Sequence, residues 1–172
     1  QLDGKRKGSV GFALTALPEH ERLNINVIVG PAYTTADSLK RQAGASGLQC
    51  DILGDVSVMS EWMDWADLAI TAAGSTCWEL CFMGLPAIVI TMADNQIRVA
   101  DSLAAAGVAI AAGWYSSLNQ DSLAAQISGL LSDAVRRREM SSNGWLAVDG
   151  FGVDRLCAVL REEKRFLREA TW

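Results

Sequence analysis

The stretch "DLAITAAGSTCWELCFMGLPAIVITMADNQ" (67–96) decides how this chain folds. It holds two apolar runs, LAITAA (68–73) and PAIVITM (86–92). Both are short, carry β-branched residues and are bounded by turn formers, as buried strands are. Between them STCWELCFMG (75–84) reads as a helix closed by Gly84 just past its last turn. Strand, helix, strand with short connections is the repeating unit of a parallel sheet. Each strand runs out into small or polar residues: Gly74-Ser75-Thr76 after one, Asp94-Asn95-Gln96 after the other.

The same alternation extends both ways. Upstream, LNINVIVG (23–30) reads as a strand, TTADSLKRQAGAS (34–46) as a helix and LQCDILGDV (48–56) as a strand into a turn. VSVMSEWMDWAD (56–67) then sets Val58, Met59, Trp62, Met63 and Ala66 at helical spacing. Downstream, NQIRVADSLAAAG (95–107) reads as a helix and VAIAAG (108–113) as the last strand. The expected fold is therefore α/β: a Rossmann-like parallel sheet flanked by helices, over residues 8–115. Residues 116–172 are expected to form a C-terminal helical extension packing on that domain, with helices at 119–133, 134–148 and 153–170. Leu156, Val159, Leu160, Phe166 and Leu167 make an apolar stripe on the last of these, and REEKR a solvated face. The start differs. GFALTALPEH (11–20) suits a short helix, yet QLDGKRKG before it is too polar for a core strand. The opening strand and Gly-rich turn of such a sheet are expected to be missing or altered.

The chain has 172 residues, half of them hydrophobic and a fifth charged, which is the balance of a globular domain with a real core. A net charge of -5 argues against a broad nucleic-acid surface. No apolar run approaches the roughly 18 residues of a membrane span, and no signal peptide opens the sequence. Cys50, Cys77, Cys81 and Cys157 form no CxxC pair, and the only histidine, His20, is far from them. They read as buried thiols in a reducing, cytoplasmic setting, with no metal and no cofactor implied.

In an open parallel sheet, ligands sit outside the carboxyl ends of the strands, where helix N-termini favour phosphate. Gly74 lets a ligand approach the backbone there, and Ser75 and Thr76 add hydroxyls. Glu79, one turn on, could accept two hydrogen bonds from a ribose diol. Thr76-Cys77-Trp78-Glu79 equally matches the S/T-x-x-E capping box, in which Glu79 serves only the backbone. Asp94 or Asn95 reads the same two ways, as helix cap or as ligand contact with Gln96. Other chemistry is poorly supported. The chain has no GxGxxG, no P-loop and no GxSxG. His20 sits in a surface-like turn and reads as idle, Trp62, Trp65 and Trp78 read as core or interface, and no general base is evident.

The run "ITAAGSTCWELCFMGLPAIVI", with "ADNQ" after it and "NVIVGPAY" and "DILGDVSVMSEWMDWADLAI" before it, resembles the C-terminal nucleotide-binding domain of GT-B-type enzymes. Within them it looks most like the UDP-2,4-diacetamido-2,4,6-trideoxy-β-L-altropyranose hydrolases of pseudaminic acid biosynthesis. It is more distantly similar to the peptidoglycan transferases that move N-acetylglucosamine from UDP onto a lipid-linked acceptor. The resemblance covers about residues 10–115. It implies a UDP-sugar ligand, with Gly74, Ser75 and Thr76 at the diphosphate and Glu79 on the ribose. It implies Asn95 and Gln96 at the diphosphate or sugar, and the Gly30–Tyr33 turn on the uracil side. It further implies an N-terminal GT-B domain carrying the catalytic histidine, so this chain alone is expected to be inactive. The expected parent activity is transfer of the glycosyl group to water. The alternatives are a glycosyltransferase donor-binding domain and a module that keeps the fold without chemistry.

Overall fold

The computed structural model describes residues 13–17, 22–30, 36–46 and 48–169. Among the described residues, five strands and seven longer helices alternate and then give way to helices alone. The order is β1 (Ile25–Val29), α1 (Ala36–Ser46), β2 (Cys50–Gly54), α2 (Met59–Trp65), β3 (Ala69–Ala72), α3 (Thr76–Met83) and β4 (Ala87–Thr91). A 3₁₀ turn, Asp94–Gln96, leads into α4 (Ile97–Ala105) and then β5 (Ala109–Trp114). A second 3₁₀ turn, Tyr115–Ser117, precedes α5 (Gln120–Ser132), α6 (Ala134–Ala147) and α7 (Gly152–Glu169). One helical turn is also described at 13–15.

All strand pairs are parallel, as the alternation of strands and helices requires. The sheet is not continuous among the described residues. β1 pairs with β2, and β3-β4-β5 form a separate three-stranded ladder. The chain thus has parallel sheets flanked by helices, in two pieces where a single sheet was expected.

β4 is the centre of the molecule. All five of its residues are buried, and successive side chains go to opposite faces. Ala87 and Val89 meet Cys77, Leu80 and Cys81 of α3 and Ala100 and Leu103 of α4. Ile88 points the other way, into Leu123, Ile127 and Leu130 of α5 and Met140 of α6, together with Ala13 and Leu17. Each such side chain contributes about 1.5–3 kcal/mol relative to exposure, which explains why AIVIT is apolar throughout instead of alternating.

Two backbone devices hold this arrangement. Gly84 ends α3 in the left-handed region (φ 65°), where its N–H donates to the Leu80 and Cys81 carbonyls. Gly144 lets α6 lie directly on α3, since a Cβ there would stand 2.9 Å from the Cys81 carbonyl oxygen. Beside that contact, Asn143 Nδ2 donates to the Gly107 carbonyl at 3.2 Å, tying α6 to the turn before β5. Arg137 Nη1 donates to the Leu130 and Leu131 carbonyls at the end of α5.

The residues after 115 behave in two ways. α5 and α6 pack on the sheet, whereas residues 151–161 at the start of α7 are all exposed, Val153 at 72%. The expected stripe residues Leu156, Val159 and Leu160 are therefore uncovered in this chain. The thiols need a correction. Cys77 and Cys81 are buried and free, but Cys50 is half-buried and Cys157, on α7, is exposed. Of the tryptophans read as core or interface, Trp65 is 52% and Trp78 45% exposed, so the core half of that reading does not hold for these two.

Candidate functional site

The β3–α3 junction is built by a tight turn. Gly74 N–H donates to the Ala72 carbonyl at 2.7 Å, and Cys77 N–H to the Gly74 carbonyl at 3.1 Å. Among the described backbone hydrogen bonds none uses the N–H of Ser75 or Thr76. Ser75 is exposed and Thr76 half-buried, so two donors stand open at the start of α3. There the helix dipole adds partial positive charge.

The capping-box alternative is not formed. Ser75, not Thr76, occupies the N-cap, in the helical region (φ -60°, ψ -30°), with no side-chain cap hydrogen bond. A capping side chain needs an extended backbone at that position, and Thr76 is already inside the helix. The S/T-x-x-E match is thus one residue out of register. Glu79 is exposed, and no described hydrogen bond engages its carboxylate.

The second junction follows the same logic. Asp94 and Asn95 lie within the 3₁₀ turn, capped by neither side chain. The N-cap of α4 is Gln96, again without a side-chain bond to the helix. Asn95 is exposed and Gln96 half-buried. Gln96 Oε1 accepts the Met92 N–H at 2.9 Å, which fixes its amide. The Nε2 then stands 3.9 Å from where a Gly74 Cβ would be. The two strand-end loops therefore meet, Gly74 against Gln96, with the absent side chain leaving the gap open.

One further residue belongs at this end. Arg98, in the first turn of α4, is exposed and takes part in no described ion pair. A cation in a first turn works against the helix dipole. That contrary charge is legible in "NQIRVAD". Gly30, at the end of β1, is exposed with open space about its Cα. Tyr33 and His20 lie outside the described residues. Among the described residues no cluster of His, Cys, Asp and Glu could hold a metal ion. No helix there is long and apolar enough to cross a membrane.

Burial pushes the Cys77 thiol up, with Cys81 beside it adding to the shift. Burial does the same for Cys81. Both are inert packing groups under the turn, with Cys77 Sγ donating to the Ala72 carbonyl at 3.5 Å.

The family model described as glycosyltransferase family 28 C-terminal domain matches residues 10–149. The chain belongs to that family.

This family 28 domain is 25% identical over 150 residues to the spore coat polysaccharide biosynthesis protein SpsG of Bacillus subtilis, covering 87% of the chain and 44% of that protein. It is 30% identical over 138 residues to a UDP-N-acetylglucosamine–N-acetylmuramyl-(pentapeptide) pyrophosphoryl-undecaprenol N-acetylglucosamine transferase of Alkalilimnicola ehrlichii, covering 77% of the chain and 38% of that protein. The chain thus spans less than half the length of these relatives. The crystal structure of WaaG, a glycosyltransferase involved in lipopolysaccharide biosynthesis, superposes with a TM-score of 0.69 at 19% identity, over 86% of this chain and 40% of that one. At that identity the likeness shows the fold, which is GT-B. The relatives carry the GT-B reading; they do not carry the narrower expectation of a pseudaminic acid hydrolase.

Proposed function

We propose that this family 28 domain holds the nucleotide end of a UDP-sugar for a glycosyltransferase. A second, N-terminal GT-B domain would complete the cleft. The observation that supports it is the meeting of Gly74 and Gln96 at the ends of β3 and β4. The unbonded N–H groups of Ser75 and Thr76 lie at the start of α3, where the helix dipole adds positive charge, and the Gln96 amino group stands close by at Gly74. Such a gap suits a diphosphate without a metal. Asn95 and the Arg98 guanidinium stand at the same end and would share the charge. Glu79, one turn inward and free of capping duty, would accept the ribose hydroxyls. Gly30, at the end of β1, would lie toward the base.

The domain's part in catalysis would be positional and electrostatic. The leaving group in glycosyl transfer is the nucleoside diphosphate, and donors placed at its oxygens stabilise the charge that grows as the glycosidic bond breaks. The general base would come from the N-terminal half. Water as the acceptor is the second reading, and it rests on the likeness of ITAAGSTCWELCFMGLPAIVI and ADNQ to the hydrolases. The names of the relatives favour a transferase and a polysaccharide pathway instead.

The test is calorimetric titration of the intact protein with UDP, UMP and uridine. UDP is expected to bind tightest, and Glu79→Ala to weaken it about tenfold while unfolding stability stays within about 0.5 kcal/mol, as for an exposed side chain. Equal affinity for uridine and UDP would remove the diphosphate from the reading. A Glu79→Ala protein that loses stability but keeps its UDP affinity would return Glu79 to a structural role.

A further inference from the structure

A second concavity lies at the opposite end of β1 and β2, away from the strand-end loops. It is an open cleft of about 740 Å³ between the amino ends of those strands and α2. That volume is within the roughly 300–1,000 Å³ of small-molecule sites. Its lining breaks the pattern of the fold. A strand of a parallel sheet covered by a helix is apolar on both faces, yet Asn24, just before β1, and Asn26 within it are two residues apart. They therefore face the same side. The register sets Asn26 beside Asp51 of β2, and Gln49 precedes that strand at the rim. Trp62 and Trp65 line the same cleft, three residues apart and so on one side of α2. Trp65 is 52% exposed. No described side-chain hydrogen bond engages Asn24, Asn26, Gln49 or Asp51. Two indoles and four uncommitted polar side chains thus share one open space.

We propose that this cleft is a second ligand site, for a neutral pyranoside unit of a glycan. A pyranose has a flat C–H face and a rim of hydroxyls. The indoles offer the flat apolar surface for the former. The amides of Asn24, Asn26 and Gln49 offer both donors and acceptors for the latter, and Asp51 offers acceptors only. Among the described lining residues there is no Lys or Arg, and Asp51 repels an anion. The cleft therefore does not take a phosphate, and it differs in kind from the donor-rich gap at Gly74. It lies at the amino ends of β1 and β2, where it would grip a sugar of the glycan chain while the nucleotide occupies the carboxyl ends. This inference stands whether or not UDP binds at the loops.

The intact protein, with and without saturating UDP, would be titrated with N,N′-diacetylchitobiose, cellobiose and maltose. The indole N–H signals of Trp62 and Trp65 would be followed by NMR. A saturable shift of both signals with at least one disaccharide, unchanged by UDP, is expected. Trp65→Ala should weaken that binding about tenfold, and Asp51→Asn severalfold. Asp51 is exposed and Trp65 about half exposed, so both variants are expected to stay folded, which their melting temperatures check, and their UDP titrations serve as separate controls. Absence of a saturable shift with all three sugars would overturn the proposal. So would displacement of the disaccharide by UDP, or unchanged affinity in Trp65→Ala.

Discussion

β4 and β1 are both five-residue parallel strands of nearly the same composition, AIVIT and INVIV. β4 is buried at every position, and β1 is half-buried at every position. The difference is neighbours. β4 has a strand on each side and helices on both faces, α3 and α4 on one and α5 and α6 on the other. β1 has one described strand partner, β2, and carries Asn26 at its second position. Apolar sequence is thus a permit for burial, and the surrounding elements decide how much of it is used.

Paired substitutions give the largest test of that comparison. Ile88→Ala, at a position with no exposed surface, is expected to cost about 2–5 kcal/mol. Val27→Ala in β1 should cost about 1 kcal/mol. Urea unfolding of the two variants measures both, and equal losses would mean that the two halves are equally well packed. A smaller effect should appear in thiol labelling of the native protein. Cys157 reacts first, Cys50 next, and Cys77 and Cys81 only on unfolding. Burial and the Asp51 charge push the Cys50 thiol up, but it is not enclosed. Labelling of Cys77 as fast as Cys50 would show that the three-stranded half opens as readily as the other.

The smallest effect lies outside both halves, at the entry to α7. Arg155 donates to Asp149 across a 2.7 Å ion pair, and the Phe151 N–H adds a bond, so the Asp149 carboxyl is held down to about 2. Its folded value is depressed below the ordinary carboxylate value of about 3.9. The pair's contribution is therefore complete above that ordinary value and is lost as pH falls through about 2. Both groups are exposed, and such pairs contribute little. Asp149→Asn should leave the urea midpoint unchanged at pH 7, and NMR titration of Asp149 should place its midpoint well below that of an ordinary aspartate.

The element order was legible because strand and helix periods differ and because Gly84 and Gly107 mark helix ends. LAITAA, STCWELCFMG and PAIVITM fall within a residue or so of β3, α3 and β4. The break between β2-β1 and β3-β4-β5 was not legible, since which strand lies beside which is a property of space and leaves no periodic trace. The cap readings at Thr76 and Asp94 failed on a shift of one or two residues, too fine for a pattern of residue types to fix. The exposure of Trp65 and Cys157 was hidden for another reason: both residue types are usually buried, and only the neighbours of α2 and α7 reveal otherwise. Which of the strand-end residues touch a ligand is a question for titration, and the sequence supplies the residues to vary.

Gln96 has one further consequence. A backbone N–H can only donate, so its bond from Met92 fixes which end of the Gln96 amide is oxygen and which is nitrogen. The side chain cannot turn over to suit a visitor. With that bond in place, the end of the amide facing Gly74 is its hydrogen-giving end. A group rich in lone pairs would find a donor at that end, and the hydroxyls of Ser75 and Thr76 are the nearby groups able to accept.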